Sequence, residues 1–195
     1  VPSTKWKLKN RKEAWLLGET ISASIGQGYN LVTPFQQANM MAAVANGGML
    51  LKPYLVKRIE EPGGKIIKEF FPKIKGRITG NPENMEIIRN ALRDVVNGTR
   101  GTGKKSRLKD VVVSGKTGTV QVVRMKSNEE LEKGEEIPYK YRDHAWFVAF
   151  APYEKPEIAV AVLVEHGGHG GATAAPIAQK IFKKYFQLYP PNPAA

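Results

Sequence analysis

An apolar and polar pattern typical of an amphipathic helix begins at residue 33. Thr33 can serve as the N-cap, Pro34 suits the first helical position, and Gln36 can complete a capping box. An Asn-Gly-Gly sequence after the last apolar position marks the end of this helix. Met40 and Met41 lie within it and are predicted to fill the core.

A hairpin and a second helix are predicted next. Two strand-like segments, 54–59 and 65–70, flank a Pro-Gly-Gly turn. Asn81 precedes a proline, and apolar side chains then recur at helical spacing as far as Gly98, where the helix is predicted to end. The first half of the chain therefore combines helices with a hairpin.

Strand patterns dominate the second half. The segment 111–123 predicts a strand interrupted by a glycine, and short apolar segments at 145–151 and 158–164 predict two more. The nearly continuous apolar character of 158–164 favours burial on both faces. The segment 124–143 is rich in Glu and Lys and is predicted to be an exposed loop.

A closing helix is predicted over 175–188, before two prolines end it. Its predicted apolar stripe consists of Ile177, Ile181, Tyr185 and Leu188. Helices and a hairpin, followed by adjacent strands with short connections and a closing helix, favour an α+β fold. We expect an antiparallel sheet with flanking helices.

Composition fits one globular domain with an excess of positive charge. The 195 residues are 42% hydrophobic and carry a formal net charge of +12. No Cys occurs, which excludes disulfides and thiolate metal sites, and the longest apolar run is too short to span a bilayer. Two basic clusters are interpreted as solvated surface, and without a recognisable nucleic-acid module we predict no nucleic-acid partner. The clusters are Lys5, Lys7, Lys9, Arg11 and Lys12, and Lys104, Lys105, Arg107 and Lys109.

The most informative motif is Lys116-Thr117-Gly118-Thr119, in the first predicted strand of the second half. A phosphate-binding loop would need a glycine where Asp110 stands, and a helix where the pattern predicts a strand. The alternative is the Lys-Thr-Gly element of serine penicillin-recognising enzymes. At the rim of a cleft, such a strand can offer an ammonium and two hydroxyls to a carboxylate, and its glycine lets a ligand approach the backbone. The backbone N–H after that glycine can donate to an oxyanion.

Other segments surround this motif, and the set closely resembles class B penicillin-binding proteins in order and spacing. The segments are Ile25-Gly26-Gln27-Gly28-Tyr29, Thr33-Pro34-Phe35-Gln36, Ala45-Asn46-Gly47-Gly48, the run from Ser114 to Gln121, the run from Arg142 to Pro152, and Glu165-His166-Gly167-Gly168. The long loop that ends in Arg-Asp-His resembles the elongation type, penicillin-binding protein 2. The resemblance covers essentially the whole chain and implies the C-terminal part of the transpeptidase fold, which is β-lactamase-like.

This resemblance implies a membrane-anchored peptidoglycan D,D-transpeptidase that binds β-lactams. Lys116 and Thr119 are the implied catalytic residues, and Thr117, Gly118 and Thr119 are the implied substrate-binding residues. Lys116 would support the electrostatics, the two hydroxyls would bind a carboxylate, and the Thr119 N–H would be the oxyanion donor. No metal or organic cofactor is implied.

The resemblance also implies partners and a location. The partners are peptidoglycan stem peptides, β-lactams, the upstream part of the same transpeptidase domain, and a cell-elongation glycosyltransferase. The location is the periplasmic face of the inner membrane, with an anchor upstream of this chain.

One part of the family pattern is missing from the sequence. The family's nucleophilic serine lies in an upstream Ser-x-x-Lys element, and a Ser-x-Asn element follows it, but residues 1–195 contain no Ser-x-Asn. Ser106 and Lys109 fit the Ser-x-x-Lys spacing, but they fall in a basic loop that cannot desolvate the lysine. We therefore expect 1–195 to be the C-terminal portion of the domain, without the catalytic serine and inactive alone.

The histidines do not form a predicted metal site. His166 and His169 adjoin glycines rather than a rigid ligand scaffold, so no metal site is predicted there. His144 is predicted to be structural, as are the three tryptophans.

Two alternative functions remain open: a β-lactam sensor or β-lactamase-like domain, and a non-enzymatic basic module that binds polyanions. Capture of labelled penicillin and salt-dependent polyanion binding distinguish them.

Overall fold

The computed structural model describes residues 2–122 and 138–191. The helices in these ranges are α1 (Thr4–Arg11), α2 (Leu17–Ser24), α3 (Pro34–Ala45), α4 (Pro82–Asn97) and α5 (Gly170–Leu188). The strands are β1 (Met49–Lys52), β2 (Arg58–Glu60), β3 (Ile66–Glu69), β4 (Lys73–Arg77), β5 (Ser114–Val120), β6 (His144–Ala151) and β7 (Ile158–Val164). Short 3-10 turns occupy Lys104–Ser106 and Tyr139–Tyr141.

The main sheet has three antiparallel strands in the order β5-β6-β7. Its register pairs Lys116 with Val148 and Trp146 with Leu163. Two smaller two-stranded sheets, β1-β4 and β2-β3, are antiparallel as well. The predicted α+β class with antiparallel pairing is confirmed.

The core lies on both faces of β6. Phe147 and Ala149 belong to a cluster with Phe182 of α5, whereas Phe150 packs with Met41 of α3. Successive strand residues point to opposite faces, so α5 covers one face of the sheet and α3 covers the other. Burial of each phenylalanine contributes about 1.5–3 kcal/mol.

The predicted starts of α3 and α4 are confirmed in atomic detail. At the start of α3, the Gln36 N–H donates to Thr33 Oγ1 at 3.2 Å, and the Thr33 N–H donates to Gln36 Oε1 at 2.9 Å. At the start of α4, the Glu83 N–H donates to Asn81 Oδ1 at 3.0 Å. The predicted hairpin is also present, although β2 and β3 are shorter than the segments 54–59 and 65–70.

The strands of the second half differ from the prediction in two respects. β5 begins at Ser114 rather than at 111, and its predicted end at Val123 lies outside the described residues. The segment 124–137 of the predicted loop also lies outside them, and residues 138–142 are exposed as expected. β7 has Val162 as its buried residue and is otherwise half-buried, because β7 is the outer strand of the described sheet.

The predicted apolar stripe of the closing helix is wrong. α5 begins at Gly170 rather than at 175, and its buried face is formed by small residues and Phe182. Ile177, Ile181 and Leu188 of the predicted stripe are 40%, 38% and 59% exposed. Alanines let the helix approach the sheet closely, so the buried stripe consists of Ala174, Ala175, Ala178 and Phe182.

One methionine prediction also fails. Met41 is 2% exposed and lies in the core, but Met40 is 42% exposed. The two residues are adjacent on α3, so their side chains point about 100° apart and only one can face the sheet.

The first basic cluster is not wholly solvated, because Lys7 is 2% exposed. Its Nζ lies 2.5 Å from Glu19 Oε1 and 2.9 Å from the Ala14 carbonyl oxygen. The hydrogen bond with Glu19 raises the pKa of Lys7 above its usual value. Hydrogen bonds from the Leu16 N–H and from Lys7 lower the pKa of Glu19. This ion pair connects α1 to α2, two helices that the sequence pattern did not predict.

None of the helices in the described ranges combines the length and the apolar character needed to cross a membrane.

Candidate active site

The site is organised by β5, which carries the Lys-Thr-Gly-Thr motif. One edge of β5 pairs with β6, and no described strand covers its other edge. On that open edge, Gln27 Nε2 donates to the Thr119 carbonyl oxygen at 3.0 Å. The N–H and C=O of one strand residue point to the same side. The Thr119 N–H, predicted from the sequence to be the oxyanion donor, is therefore directed toward the open edge.

Gln27 owes its position to its glycine neighbours. It lies between α2 and α3, and Gly26 and Gly28 have φ of 79° and 73°, in the left-handed region. Glycine adopts this conformation without steric cost, so the chain can turn sharply on each side of Gln27. The side chain thereby reaches a strand that follows 92 residues later in sequence. Gln27 is in a segment that carries the family resemblance, but no sequence pattern indicated a role for its side chain.

Lys116 and the two threonines lie on different sides of β5. Register with β6 pairs Thr117 with Phe147 and Thr119 with Ala145, which places both threonines on the α5 face of the sheet. Lys116 belongs to the opposite face and is exposed. Its Nζ donates to the Thr117 carbonyl oxygen at 2.9 Å. The ammonium thus reaches the backbone of β5 rather than the threonine hydroxyls.

The threonine side chains line a cleft of about 550 Å³ at the start of α5. The lining residues are Thr102, Lys104, Lys105, Thr117, Thr119, His169, Gly170, Gly171 and Ala172. The hydroxyl oxygens of Thr102 and Thr117 are 3.0 Å apart, so they share a hydrogen bond. Hydroxyls, ammonium groups and a helix N-terminus make this cleft suited to an anion.

Close approach between α5 and the sheet shapes the cleft. A Cβ added at Gly170 would lie 2.1 Å from the Trp146 carbonyl oxygen and 2.5 Å from the Gly118 carbonyl oxygen. Only a glycine fits there, because real Cβ atoms do not come so near to backbone oxygens. The first turn of α5 consequently lies directly against the Lys-Thr-Gly strand.

Two histidines hold the loops near this end of the sheet. The His166 N–H donates to His144 Nδ1 at 2.9 Å, and His166 Nδ1 lies 3.1 Å from the Arg142 carbonyl oxygen. Since a carbonyl oxygen only accepts, His166 Nδ1 carries the proton in this contact. These contacts support the predicted structural role of His144. Within residues 2–122 and 138–191, no group of His, Asp and Glu is arranged to hold a metal ion.

Ser106, the one residue in this chain that fits the Ser-x-x-Lys spacing, is fully buried. Its hydroxyl donates to the Gly103 carbonyl oxygen at 2.8 Å. Lys109, three residues later, is exposed and therefore hydrated. The hydroxyl is therefore buried and engaged by the backbone while the lysine lies at the surface, which is not the arrangement of a nucleophilic serine and its base.

The structure brings together only part of the predicted site. Thr117 and Thr119 share the cleft, Gly118 lies between them against Trp146, and Lys116 lies at the strand edge. The sequence pattern did not indicate Thr102 and His169 as lining residues, and it predicted Lys105 to be solvated surface. The Gly-Thr-Gly sequence at 101–103 is the signal that could have drawn attention to this loop, since glycines let it pack against α4 and α5.

The structure combines an antiparallel sheet, a Lys-Thr-Gly strand and a cleft suited to an anion at the start of the last helix. These features define the class of penicillin-recognising folds. The comparison with known families agrees: the penicillin binding protein transpeptidase domain matches residues 2–183. The chain belongs to this family.

Individual relatives point to the elongation type that the sequence resembles. The peptidoglycan D,D-transpeptidase MrdA of Salmonella typhimurium is 36% identical over 189 residues, which cover 95% of this chain and 30% of the relative. The chain thus spans less than a third of that protein. The resemblance to class B penicillin-binding proteins of the elongation type is confirmed.

Two solved structures share the fold. Pseudomonas aeruginosa PBP2, solved with WCK 5153, has a TM-score of 0.75 and 36% identity over 95% of this chain and 38% of its own. Helicobacter pylori PBP2, solved in a complex with MreC, has a TM-score of 0.73 and 29% identity over 96% of this chain and 31% of its own.

Proposed function

We propose that this chain is the C-terminal part of a D,D-transpeptidase that cross-links peptidoglycan stem peptides and is acylated by β-lactams. The observation that carries the proposal is the arrangement of β5. The Thr119 N–H is directed toward the open edge of this strand, and the Thr117 and Thr119 side chains line the cleft. A peptide that ends in a carboxylate can lie along such an edge, with its terminus in the cleft.

The reaction proceeds through an acyl-enzyme on a serine supplied by the upstream part of the domain. The serine hydroxyl gives its proton to a neighbouring lysine, and its oxygen bonds to the carbonyl carbon of the penultimate D-Ala. The bond from that carbon to the nitrogen of the terminal D-Ala breaks, and the leaving amine takes the proton. An amine on a neighbouring peptidoglycan strand then attacks the carbonyl carbon of the ester and forms the new amide. The bond to the serine oxygen breaks, and the serine regains a proton as the amine loses one.

This chain contributes three functions to that sequence of steps. The Thr119 N–H donates to the oxyanion that forms when the serine attacks. The Thr117 and Thr119 hydroxyls bind the terminal carboxylate, and the absent side chain of Gly118 leaves room for the peptide. Lys116 adds positive charge at the strand edge, where its ammonium favours the anionic intermediate.

The remaining partners follow from the family. We propose that the parent protein is anchored in the inner membrane by an upstream segment and acts at the periplasmic face beside a cell-elongation glycosyltransferase. The complex of the Helicobacter pylori relative with MreC supports assembly into a multi-protein complex. Taken alone, residues 1–195 are proposed to be inactive, because the serine is supplied from elsewhere.

Labelled penicillin tests the proposal with the full-length protein that contains this chain. A transpeptidase retains the label as a stable acyl-enzyme and transfers a donor peptide to an added amine. Rapid release of hydrolysed penicillin would instead identify a β-lactamase. Retention without peptide transfer would identify a sensor, and no uptake would refute the proposal.

A further inference from the structure

The cleft beside β5 contains a cation that the proposed mechanism does not use. Lys105 lies in the 3-10 turn Lys104–Ser106 and lines the cleft together with Thr117 and Thr119. Lys116, by contrast, is not among the lining residues, because it lies on the opposite face of β5. Among the described lining residues, the lysines beside the two threonines therefore come from the loop before β5, and the motif lysine is not one of them.

Lys105 is available for a ligand, unlike its neighbour in the turn. Lys104 Nζ donates to the Thr99 carbonyl oxygen, which fixes its ammonium on the backbone. Lys105 is exposed, and within residues 2–122 and 138–191 it forms neither a side-chain hydrogen bond nor an ion pair. An ammonium of this kind keeps three donors for an anion.

The rest of the lining favours negative charge as well. Among the described residues, no Asp or Glu lines the cleft. The cleft also adjoins the first turn of α5, whose 19 residues direct the positive end of a helix dipole toward it. The turn that carries Lys105 is held in place, because the buried Ser106 hydroxyl donates to the Gly103 carbonyl oxygen at 2.8 Å.

We propose that Lys105 pairs with the carboxylate of the ligand bound by Thr117 and Thr119, and so selects ligands with a free terminal carboxylate. The inference rests on the proposed function, since it assigns a specificity residue to the same site. Stem peptides that end in D-Ala and penicillins both carry this carboxylate, whereas a penicillin methyl ester lacks its charge.

The test measures the second-order acylation rate of the full-length protein with a penicillin and with its methyl ester. Lys105→Ala should slow acylation by the penicillin about tenfold, the effect of losing one charge-assisted hydrogen bond. The same variant should leave acylation by the ester unchanged. Lys105→Arg should restore most of the rate with the penicillin, because it restores the positive charge.

Lys109→Ala is the matched control, since it removes the same charge from the same segment but from outside the cleft lining. It should leave both rates unchanged. Equal rates in Lys105→Ala and the wild type, or an equal loss with penicillin and ester, would overturn the inference while the wild type still took up label. Absence of uptake by the wild type would refute the proposed function itself.

Discussion

Lys116 and the threonines that follow it have separable tasks because they occupy different sides of one strand. The strand pattern in the sequence already implied this alternation, but the sequence did not indicate that Lys116 Nζ donates to the Thr117 carbonyl oxygen at 2.9 Å. At the scale of single residues, the site therefore yields two independent tests.

Lys116→Ala should slow acylation of the full-length protein by roughly 10²- to 10³-fold, the effect of losing one preorganised polar group from such a site. The side chain is exposed, so folding should survive. Stopped-flow measurement with a fluorescent penicillin gives the rate, and the unfolding midpoint serves as the control. An undiminished rate would remove Lys116 from the mechanism.

Thr117→Val and Thr119→Val each delete a hydroxyl while keeping the β-branched shape that suits a strand. Stability should fall by about 1 kcal/mol or less, because one hydrogen bond contributes that much. Reactivity with β-lactams should fall further than stability, since the hydroxyls line the cleft. A loss of stability that accounts for the whole loss of reactivity would mean that the threonines are structural.

The motif residues could be predicted from the sequence, whereas the cleft residues that other segments contribute could not. The Lys-Thr-Gly-Thr motif is contiguous, so its strand and its chemistry can be deduced together. Thr102 and Lys105 reach the same cleft only because the first turn of α5 lies against β5, a contact that depends on Gly170 and Gly171. Side chains that meet through tertiary packing leave no local pattern.

At the scale of elements, prediction succeeded where capping residues or continuous apolar runs mark the ends. α3, α4, β6 and β7 have such signals. β1 and β4 were missed because they pair with each other on either side of the hairpin. Their paired residues are therefore 21 or more positions apart in the sequence, and Lys52 and Lys73 are the pair with the smallest separation. α1 was missed because half of its eight residues are charged, and its position depends on the buried Lys7.

The ion pair between α1 and α2 predicts a pH dependence of stability. The pKa of Glu19 is lowered from 4.5, so its contribution is present above that pH and is lost as the pH falls through the lowered pKa. The pKa of Lys7 is raised from 10.5, so its contribution is present below that pH and is lost as the pH rises through the raised pKa. Stabilisation by the pair should be greatest between these limits.

Glu19→Gln tests this prediction through the unfolding temperature. The difference from the wild type should be largest near neutral pH and should shrink toward both extremes. Glu13→Gln is the control, because Glu13 lies 3.4 Å from Lys7 but its side chain is 64% exposed. A difference that stays constant from acid to alkaline pH would contradict the assignment.

At the scale of the whole molecule, several surfaces remain uncovered within the described residues. Leu17, Ile21 and Ile25 recur at helical spacing on and just beyond α2, and they are 82%, 66% and 73% exposed. β5 and β7 each have one edge without a described partner strand. Contiguous exposed apolar surface marks an interaction site. We infer that the upstream part of the same domain covers these surfaces.

Covalent labelling of the two parts, separately and together, tests the central claim most directly. Residues 1–195 should form no adduct with penicillin. The same chain mixed with the upstream part should become competent, and a mass spectrum should place the penicilloyl group on a serine of the upstream part. A penicilloyl group on Ser106, recovered from residues 1–195 alone, would contradict both the site and the division of the domain.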